Sequence, residues 1–231
     1  MAEIDIRMHP SPQSRELEIS GLLFYRRFKR LVDFILAIFF LLLFSPLMLL
    51  IGVGVRASSR GPVFYRQERI GKDGRLFYMF KFRTMRNGNN SHVHVEHVQR
   101  LIREDTRPDA PGHHSLKLAN DARITPFGKL LRKLSLDELP QFINVLLGEM
   151  SIVGPRPPLP YEYVLYDGWH KQRLYVLPGI TGLWQVTGHN QVSFSEMVQM
   201  DLDYIEQMSP WLDFKIMLLT PMEMLRGKGG G

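Results

Sequence analysis

A chain of 231 residues has room for one compact core and an appendage, not for three independent domains. Its 45% hydrophobic and 23% charged residues exclude wholesale disorder, and the absence of cysteine excludes a disulfide framework, a Cys-ligated zinc or iron–sulfur site and a thiol nucleophile. A net charge of +6 favours anionic partners, whether nucleic acid, lipid headgroups or nucleotide phosphates, and a mean hydropathy of −0.12 makes any membrane portion local.

Residues 1–22, with Pro10, Ser11, Pro12 and Ser14, read as an N-terminal tail. Phe34 to Val55 then runs for 22 residues without a charge, enough for a straight helix to span hydrocarbon. It starts too far from Met1 and is too long for a cleaved signal peptide, and too apolar for an ordinary core helix. Two features argue against a plain span. Ser45-Pro46 interrupts the run: Pro46 lacks an N–H and clashes with the carbonyl one turn back, and Ser45 can bend the helix further. Both flanks are basic, with Arg26, Arg27, Lys29 and Arg30 before and Arg56, Arg60, Arg66 and Arg69 after, so charge asymmetry orients neither end. A helix over 23–60 that enters, breaks at Ser45-Pro46 and returns puts both clusters at the cytoplasmic headgroups. Asp33 is placed to pair with Lys29 or Arg30.

Val63 to Arg83 reads as a hairpin, VFYRQ and LFYMFKFR around the turn residues Lys72-Asp73-Gly74. Period two aligns Phe77, Met79, Lys81 and Arg83 on one face. Two cations there can hold a phosphate, or the strand is a solvated edge. Between Asn87 and Asn120 the chain is polar and histidine-rich. Val95, Val98 and Ile102 suggest one amphipathic helix. His92, His94 and His97 lack the carboxylate–His spacing of a known metal site. Arg107 to Gly112 is loop.

Thr125-Pro126 predicts an N-cap with proline at the first helical position, followed by a short basic helix through FGKLLRKL. Ser135-Leu136-Asp137-Glu138 matches a capping box, placing Asp137 and Glu138 in the first turn of a helix through Leu147. Acids there complement the helix dipole, the bland reading. The functional one is that this N-terminus, with Arg132 and Lys133 just upstream, favours phosphate. In Gly154-Pro155-Arg156-Pro157-Pro158 the prolines hold Arg156 on a stiff mount, or the segment is a rigid connector. Phe194 to Met208, with Phe194, Val198, Leu202 and Ile205 on one face, and Trp211 to Leu219 are amphipathic. Both suit interfacial helices or ordinary core packing. Gly227 to Gly231 reads as a flexible tail, leaving 61–226 as the main domain.

The basic helix with Ser45-Pro46 is followed in order by Arg66-Gln67-Glu68-Arg69-Ile70-Gly71 and Lys81-Phe82-Arg83-Thr84-Met85. Then come Leu131 to Gln141, Ser151-Ile152-Val153-Gly154-Pro155-Arg156-Pro157, and Pro178-Gly179-Ile180-Thr181-Gly182-Leu183-Trp184-Gln185-Val186. In that order and combination, from Tyr25 to Leu225, the chain resembles the monotopic phosphoglycosyl transferases. These are the bacterial sugar transferases that start polyprenyl-linked glycan assembly. It departs from the smallest members in the length of the polar stretch between Met85 and Asp121. It also carries His189 where arginine is common, a difference that bears on the donor and not on the chemistry.

The resemblance implies an α+β, mostly helical fold with a re-entrant membrane helix, a small β-hairpin and interfacial amphipathic helices. It implies a catalytic Asp137-Glu138 dyad, Mg2+ as cofactor, a UDP-sugar donor, a polyprenyl phosphate acceptor and the bacterial inner membrane as location. On that basis Asp137 is the expected nucleophile on the sugar-linked phosphate, and Glu138 is assigned to metal binding or to assisting the acceptor. Lys81, Arg83, Arg132 and Arg156 are the expected phosphate-binding cations. Leu183-Trp184-Gln185-Val186 resembles hexose-1-phosphate-transferring members, with an N-acetylhexosamine-1-phosphate donor as the alternative. A membrane-tethered, non-catalytic binding protein fits poorly with an intact Asp137, Glu138, Lys81 and Arg156. A nucleic-acid binder fits poorly because no helix-turn-helix, finger or RNP pattern is present. The oligomeric state is left open.

Overall fold

The computed structural model describes residues 12–86, 92–105, 123–187 and 192–225, and the fold is mostly helical with small sheets. It opens with one helix, α1 (Pro12–Ser58), of 47 residues with Pro46 inside it. The helix begins within the stretch expected to be tail, whose Arg15-Glu16-Leu17-Glu18 are good helix formers. Its portion Phe24–Ser58 is long and apolar enough to cross a membrane. Ser45 Oγ donates to Leu42 O at 2.8 Å, the back-bond expected of a serine one turn along.

Both arms of α1, before and after Ser45-Pro46, pack on the same domain. On the N-terminal arm Ala37 is in the main core and the Phe40 ring lies 5.2 Å from that of Phe142. On the C-terminal arm Ile51 and Val55 are buried with Phe82 and Leu131. Between them Leu42, Leu43, Leu49 and Leu50 point outward, each more than half exposed.

The hairpin forms as predicted, with β1 (Phe64–Ile70) antiparallel to β2 (Leu76–Phe82) around a 3-10 turn at Lys72–Gly74. Asp73 and Gly74 take left-handed φ values of 57° and 76° there, a conformation that Asp and Gly tolerate best. Phe77 and Met79 enter the main core and Lys81 continues the same face. Phe82, on the other face, is equally buried, because the C-terminal arm of α1 covers that side of the hairpin.

The polar segment contains α2 (His92–Glu104), on which Val98, Leu101 and Ile102 are buried. The His92, His94 and His97 side chains, Arg107 to Gly112 and His189 lie outside the described residues. Next comes α3 (Pro126–Lys133), capped as expected: Gly128 N donates to Thr125 Oγ1 at 2.9 Å with Pro126 opening the helix.

The capping box at Ser135 does not form. Ser135 is left-handed (φ 52°) and its side chain makes no cap, whereas an N-cap residue needs extended dihedrals. Its N–H instead closes the end of α3 on Arg132 O at 3.1 Å. Pro140 has no N–H for the carbonyl of Leu136, which therefore accepts from Leu139 N, and Leu136–Glu138 winds as a single 3-10 turn. The α-helix proper, α4 (Gln141–Leu147), starts after the proline and ends on the left-handed Gly148. The phosphate-favouring helix N-terminus expected at Ser135 is thus absent.

Two motifs far apart in sequence pair as parallel strands, β3 (Ser151–Val153) and β4 (Gly179–Thr181). Around them lie α5 (Pro160–Tyr163), α6 (Leu183–Thr187), α7 (Phe194–Glu206) and α8 (Pro210–Leu225). α7 is a core helix, which corrects the interfacial reading. Its apolar face, Phe194, Met197 and Val198, closes against Val98, Tyr166 and Trp184, so protein and not lipid covers it. α8 keeps an outward apolar stripe, with Trp211, Phe214, Leu218 and Met222 exposed and Asp213, Ile216 and Glu223 buried on the opposite side.

Candidate active site

Asp137 and Glu138 occupy the 3-10 turn between α3 and α4, and Asn144 of α4 sets the turn against the hairpin. Its Oδ1 accepts from Phe80 N at 2.9 Å and its Nδ2 donates to Tyr78 O at 2.8 Å, continuing the hydrogen bonding of β2 beyond its edge. Asn144 is fully buried, so replacing it leaves those backbone groups unpaired. From the next position on β2, Lys81 Nζ donates to Glu138 Oε1 at 2.6 Å. Asp137 is recessed at 7% exposure, and Glu138 stands further out.

Arg132, on the last turn of α3, donates from Nε to Thr84 Oγ1 at 2.9 Å, three residues beyond Lys81. Arg83 turns to the other side. Its Nη2 donates to Ser59 O and Oγ at 2.7 and 3.0 Å, and its guanidinium lies against Gly61, where a Cβ would meet Nη1 at 1.8 Å. Arg83 therefore holds the junction between α1 and the hairpin.

Arg156 is mounted on a segment clamped from two sides. Gly154 N donates to Thr181 O at 2.9 Å and Gly179 N donates to Pro155 O at 2.8 Å. The two chains approach so closely that a Cβ on Gly179 would meet Gly154 N at 2.2 Å, which requires glycine there. On the other side Arg69 Nη1 donates to Pro157 O at 2.8 Å. Arg156 Nη1 donates to Glu162 Oε2 at 3.2 Å, and that carboxylate also accepts from Leu159 N at 2.8 Å. Burial opposes ionisation of Glu162, but the guanidinium groups of Arg156 and Arg69 and the Leu159 N–H outweigh it and hold the carboxyl below the ordinary range. Burial, then repulsion from Arg156, lowers the Arg69 guanidinium to about 10, against the pull of Glu162, Tyr161 and Glu138. Arg69 thus supports the Arg156 segment through Pro157 O, with its charge opposed by Arg156 and favoured by Glu162.

Of the residues singled out in the sequence, Lys81 meets Glu138 next to Asp137, Arg132 reaches Thr84 three residues beyond Lys81, Arg156 is paired with Glu162, and Arg83 is directed to Ser59. Glu162 and Asn144 carried no chemical pattern in the sequence and were missed, and Thr84 stood there only as part of the Lys81–Met85 segment. Arg69 was legible only as part of a motif. Asp137 and Glu138 offer hard oxygen donors from consecutive positions, and among the described residues they do not belong to any cluster of three or more His, Asp or Glu. That set fits a magnesium ion completing its shell with substrate phosphates and water.

The model of the bacterial sugar transferase family matches residues 24–227. Among similar proteins, the UDP-glucose:undecaprenyl-phosphate glucose-1-phosphate transferase of Xanthomonas campestris pv. campestris is 47% identical over 208 residues, covering 87% of this chain and 39% of that protein. The undecaprenyl-phosphate galactose phosphotransferase of Salmonella typhimurium is 39% identical over 88% of this chain and 42% of its own length. The exopolysaccharide production protein ExoY of Rhizobium meliloti is 44% identical over 83% of each chain. This chain therefore spans about two fifths of two of these relatives and most of the third. With the match running from the start of the apolar helix past the end of α8, the chain belongs to the bacterial sugar transferase family.

Proposed function

We propose that this protein transfers a hexose-1-phosphate from a UDP-sugar to undecaprenyl or another polyprenyl phosphate, the first membrane step of exopolysaccharide or related glycan synthesis. The observation that carries the reading is the Asp137-Glu138 turn, with Glu138 paired to Lys81 and Arg132 bonded to Thr84 three residues beyond, in a domain packed on an apolar helix. Relatives named for glucose-1-phosphate and galactose transfer favour a hexose over an N-acetylhexosamine.

In this reading an Asp137 carboxylate oxygen attacks the sugar-linked phosphorus. The new O–P bond forms as the phosphoanhydride bond breaks, and UMP leaves with the electron pair. An oxygen of the acceptor phosphate then attacks the phosphoryl-aspartate and displaces the Asp137 carboxylate. Lys81 and Arg132 oppose the charge gathered on the donor phosphates, and Arg156 binds donor phosphate from its rigid mount. Arg83, bonded to Ser59, serves the site by fixing the end of α1. Asp137 and Glu138 are the residues that would hold magnesium, which when bound neutralises phosphate charge. Incubating purified protein with polyprenyl phosphate and a panel of UDP-sugars tests the reading: UMP release with UDP-glucose or UDP-galactose is expected, and release with none of the panel overturns it.

The topology belongs to the same proposal: 23–60 enters the inner membrane and returns, and 61–226 sits on the cytoplasmic face with the N-terminus. Supporting it, both arms of α1 pack on one domain, whereas a straight 22-residue span separates its ends by roughly 33 Å across the bilayer. Replacing Ser45→Ala and Pro46→Leu restores the missing bond, and the run is then expected to cross. In this cysteine-free chain, Ser14→Cys and Ser115→Cys report the two sides in intact cells. An impermeant thiol reagent should label neither position in the native background, and only position 14 in the Ala-Leu variant. Labelling at position 14 in the native background overturns the re-entrant topology.

A further inference from the structure

A cavity opens between the N-terminal arm of α1 and the tip of the hairpin, lined by Arg26, Lys29, Arg30, Asp33, Lys72 and Tyr175, among others. Arg26, Lys29 and Arg30 share a helix face by their i, i+3 and i+4 spacing, and Lys72 reaches in from the hairpin turn.

The charges in this cavity are unequally spent. Lys29 Nζ sits 2.6 Å from Asp213 Oδ2 and 3.9 Å from Asp33 Oδ1. Asp33 is turned to β3, accepting from Ser151 Oγ at 2.7 Å and Ile152 N at 3.2 Å. Arg30 donates to the carbonyls of Val145 and Leu146 at 2.5 and 3.0 Å, which satisfies its hydrogens but leaves its charge uncancelled. Arg26 and Lys72 form no ion pair among the described residues, and Arg26 Nε is buried with no partner. A positive excess lines one concavity, and one of its guanidinium groups carries an unsatisfied donor, an environment that an anionic oxygen suits.

The place is as informative as the charge. Arg30 lies one turn before Phe34, where the uncharged run begins: before it the exposed Phe24, Phe28 and Leu31 alternate with basic residues, and after it Phe34, Ile35, Ile38 and Phe39 are exposed without any charge between them. In the membrane reading proposed above, the cavity lies at the headgroup end of that run, with the 60%-exposed Tyr175 among its lining residues. It is separate from the dyad. Lys81 lies five positions along β2 from Leu76, which follows the hairpin turn, about 17 Å of strand.

We propose that this cavity binds the phosphate of an anionic phospholipid headgroup and so sets the depth and orientation of the protein in the membrane. The inference rests on the membrane association proposed above, but not on the chemistry assigned to Asp137. The full chain in neutral detergent, titrated with phosphatidylglycerol or phosphatidylcholine and read by native mass spectrometry, tests it. Phosphatidylglycerol is expected to bind at least fivefold more tightly than phosphatidylcholine. That preference should fall to near unity in Arg26→Gln/Lys72→Ala and in the single turn variant Lys72→Glu, and persist in Lys215→Ala on α8. Equal affinity for the two lipids, or an undiminished preference in Lys72→Glu, overturns the proposal. Displacement of the lipid by millimolar inorganic phosphate assigns the cavity to a soluble anion and overturns the lipid assignment. Co-sedimentation with phosphatidylcholine vesicles reads membrane association separately, so failure of the pocket and failure of the membrane reading remain distinguishable.

Discussion

Lys81–Glu138 and Arg173–Asp201 are both cation–carboxylate pairs joined across long sequence separations, and they differ in water. The side chains of the first are 20% and 30% exposed, those of the second 0% and 1%. Arg173 Nη1 also donates to Tyr166 Oη at 3.1 Å, and Arg173 Nη2 contacts Asp201 directly, tying α7 to the segment after α5. A pair with water access contributes less to stability than a dry one, because solvent screens it and can replace either partner. A dry pair loses far more if either partner goes, because the survivor is an uncompensated buried charge. Under the proposed function the first pair changes partners, Lys81 turning to donor phosphate, while the second keeps its own.

The largest effect that sharpens this contrast is on the exposed side. Asp137→Asn, beside Glu138, is expected to lower turnover more than about a thousandfold and to abolish any donor-derived phosphosugar mass on the protein. Substantial turnover by this variant, free of deamidation, breaks the assignment of the site. On the buried side, Arg173→Ala or Asp201→Ala is expected to lower unfolding stability by about 3–5 kcal/mol, read by denaturant titration in detergent. Lys81→Met is expected to change stability by less than about 1 kcal/mol while impairing turnover. Equal destabilisation at both pairs breaks the comparison.

Arg156 stands between the two extremes, its side chain 25% exposed and its Glu162 partner 4%. Arg156→Lys keeps the charge and loses the planar fork, so at least a tenfold fall in kcat/KM is expected, about 1.4 kcal/mol. Unchanged kinetics make Arg156 a connector. The smallest effect is a pH dependence at Glu162. Its folded carboxyl titrates below the ordinary value of 4.5, so its contribution to stability is complete above that pH and is lost as pH falls below it toward the folded value. In thermal unfolding between pH 3 and 6, Glu162→Gln should flatten the acid side of the stability curve, and an unaltered slope removes Glu162 from the network.

Much of the molecule was legible in sequence because the signals were local. The uncharged run, the alternation of Phe77, Met79 and Lys81, the Lys72-Asp73-Gly74 turn and the Thr125-Pro126 cap each act within a few residues, and each appears in the structure. The capping box at Ser135 misled because two neighbours acted on it: the end of α3 claimed the Ser135 N–H, and Pro140 removed the donor a regular helix needs.

By itself the sequence determined the family, the apolar helix and the hairpin, since residue identity and short-range spacing suffice for those, and it pointed to Asp137-Glu138 only through the family resemblance. Only the tertiary structure decided that Asn144 seats the dyad against β2, that Glu162 and Arg69 hold the Arg156 segment, and that Arg83 faces Ser59 and not the dyad. It also decided that the apolar face of α7 is covered by protein while that of α8 is open. Two amphipathic helices carry the same periodicity whatever they pack on. Which face meets water, lipid or a second helix depends on residues dozens to more than a hundred positions away, a relation no local pattern encodes.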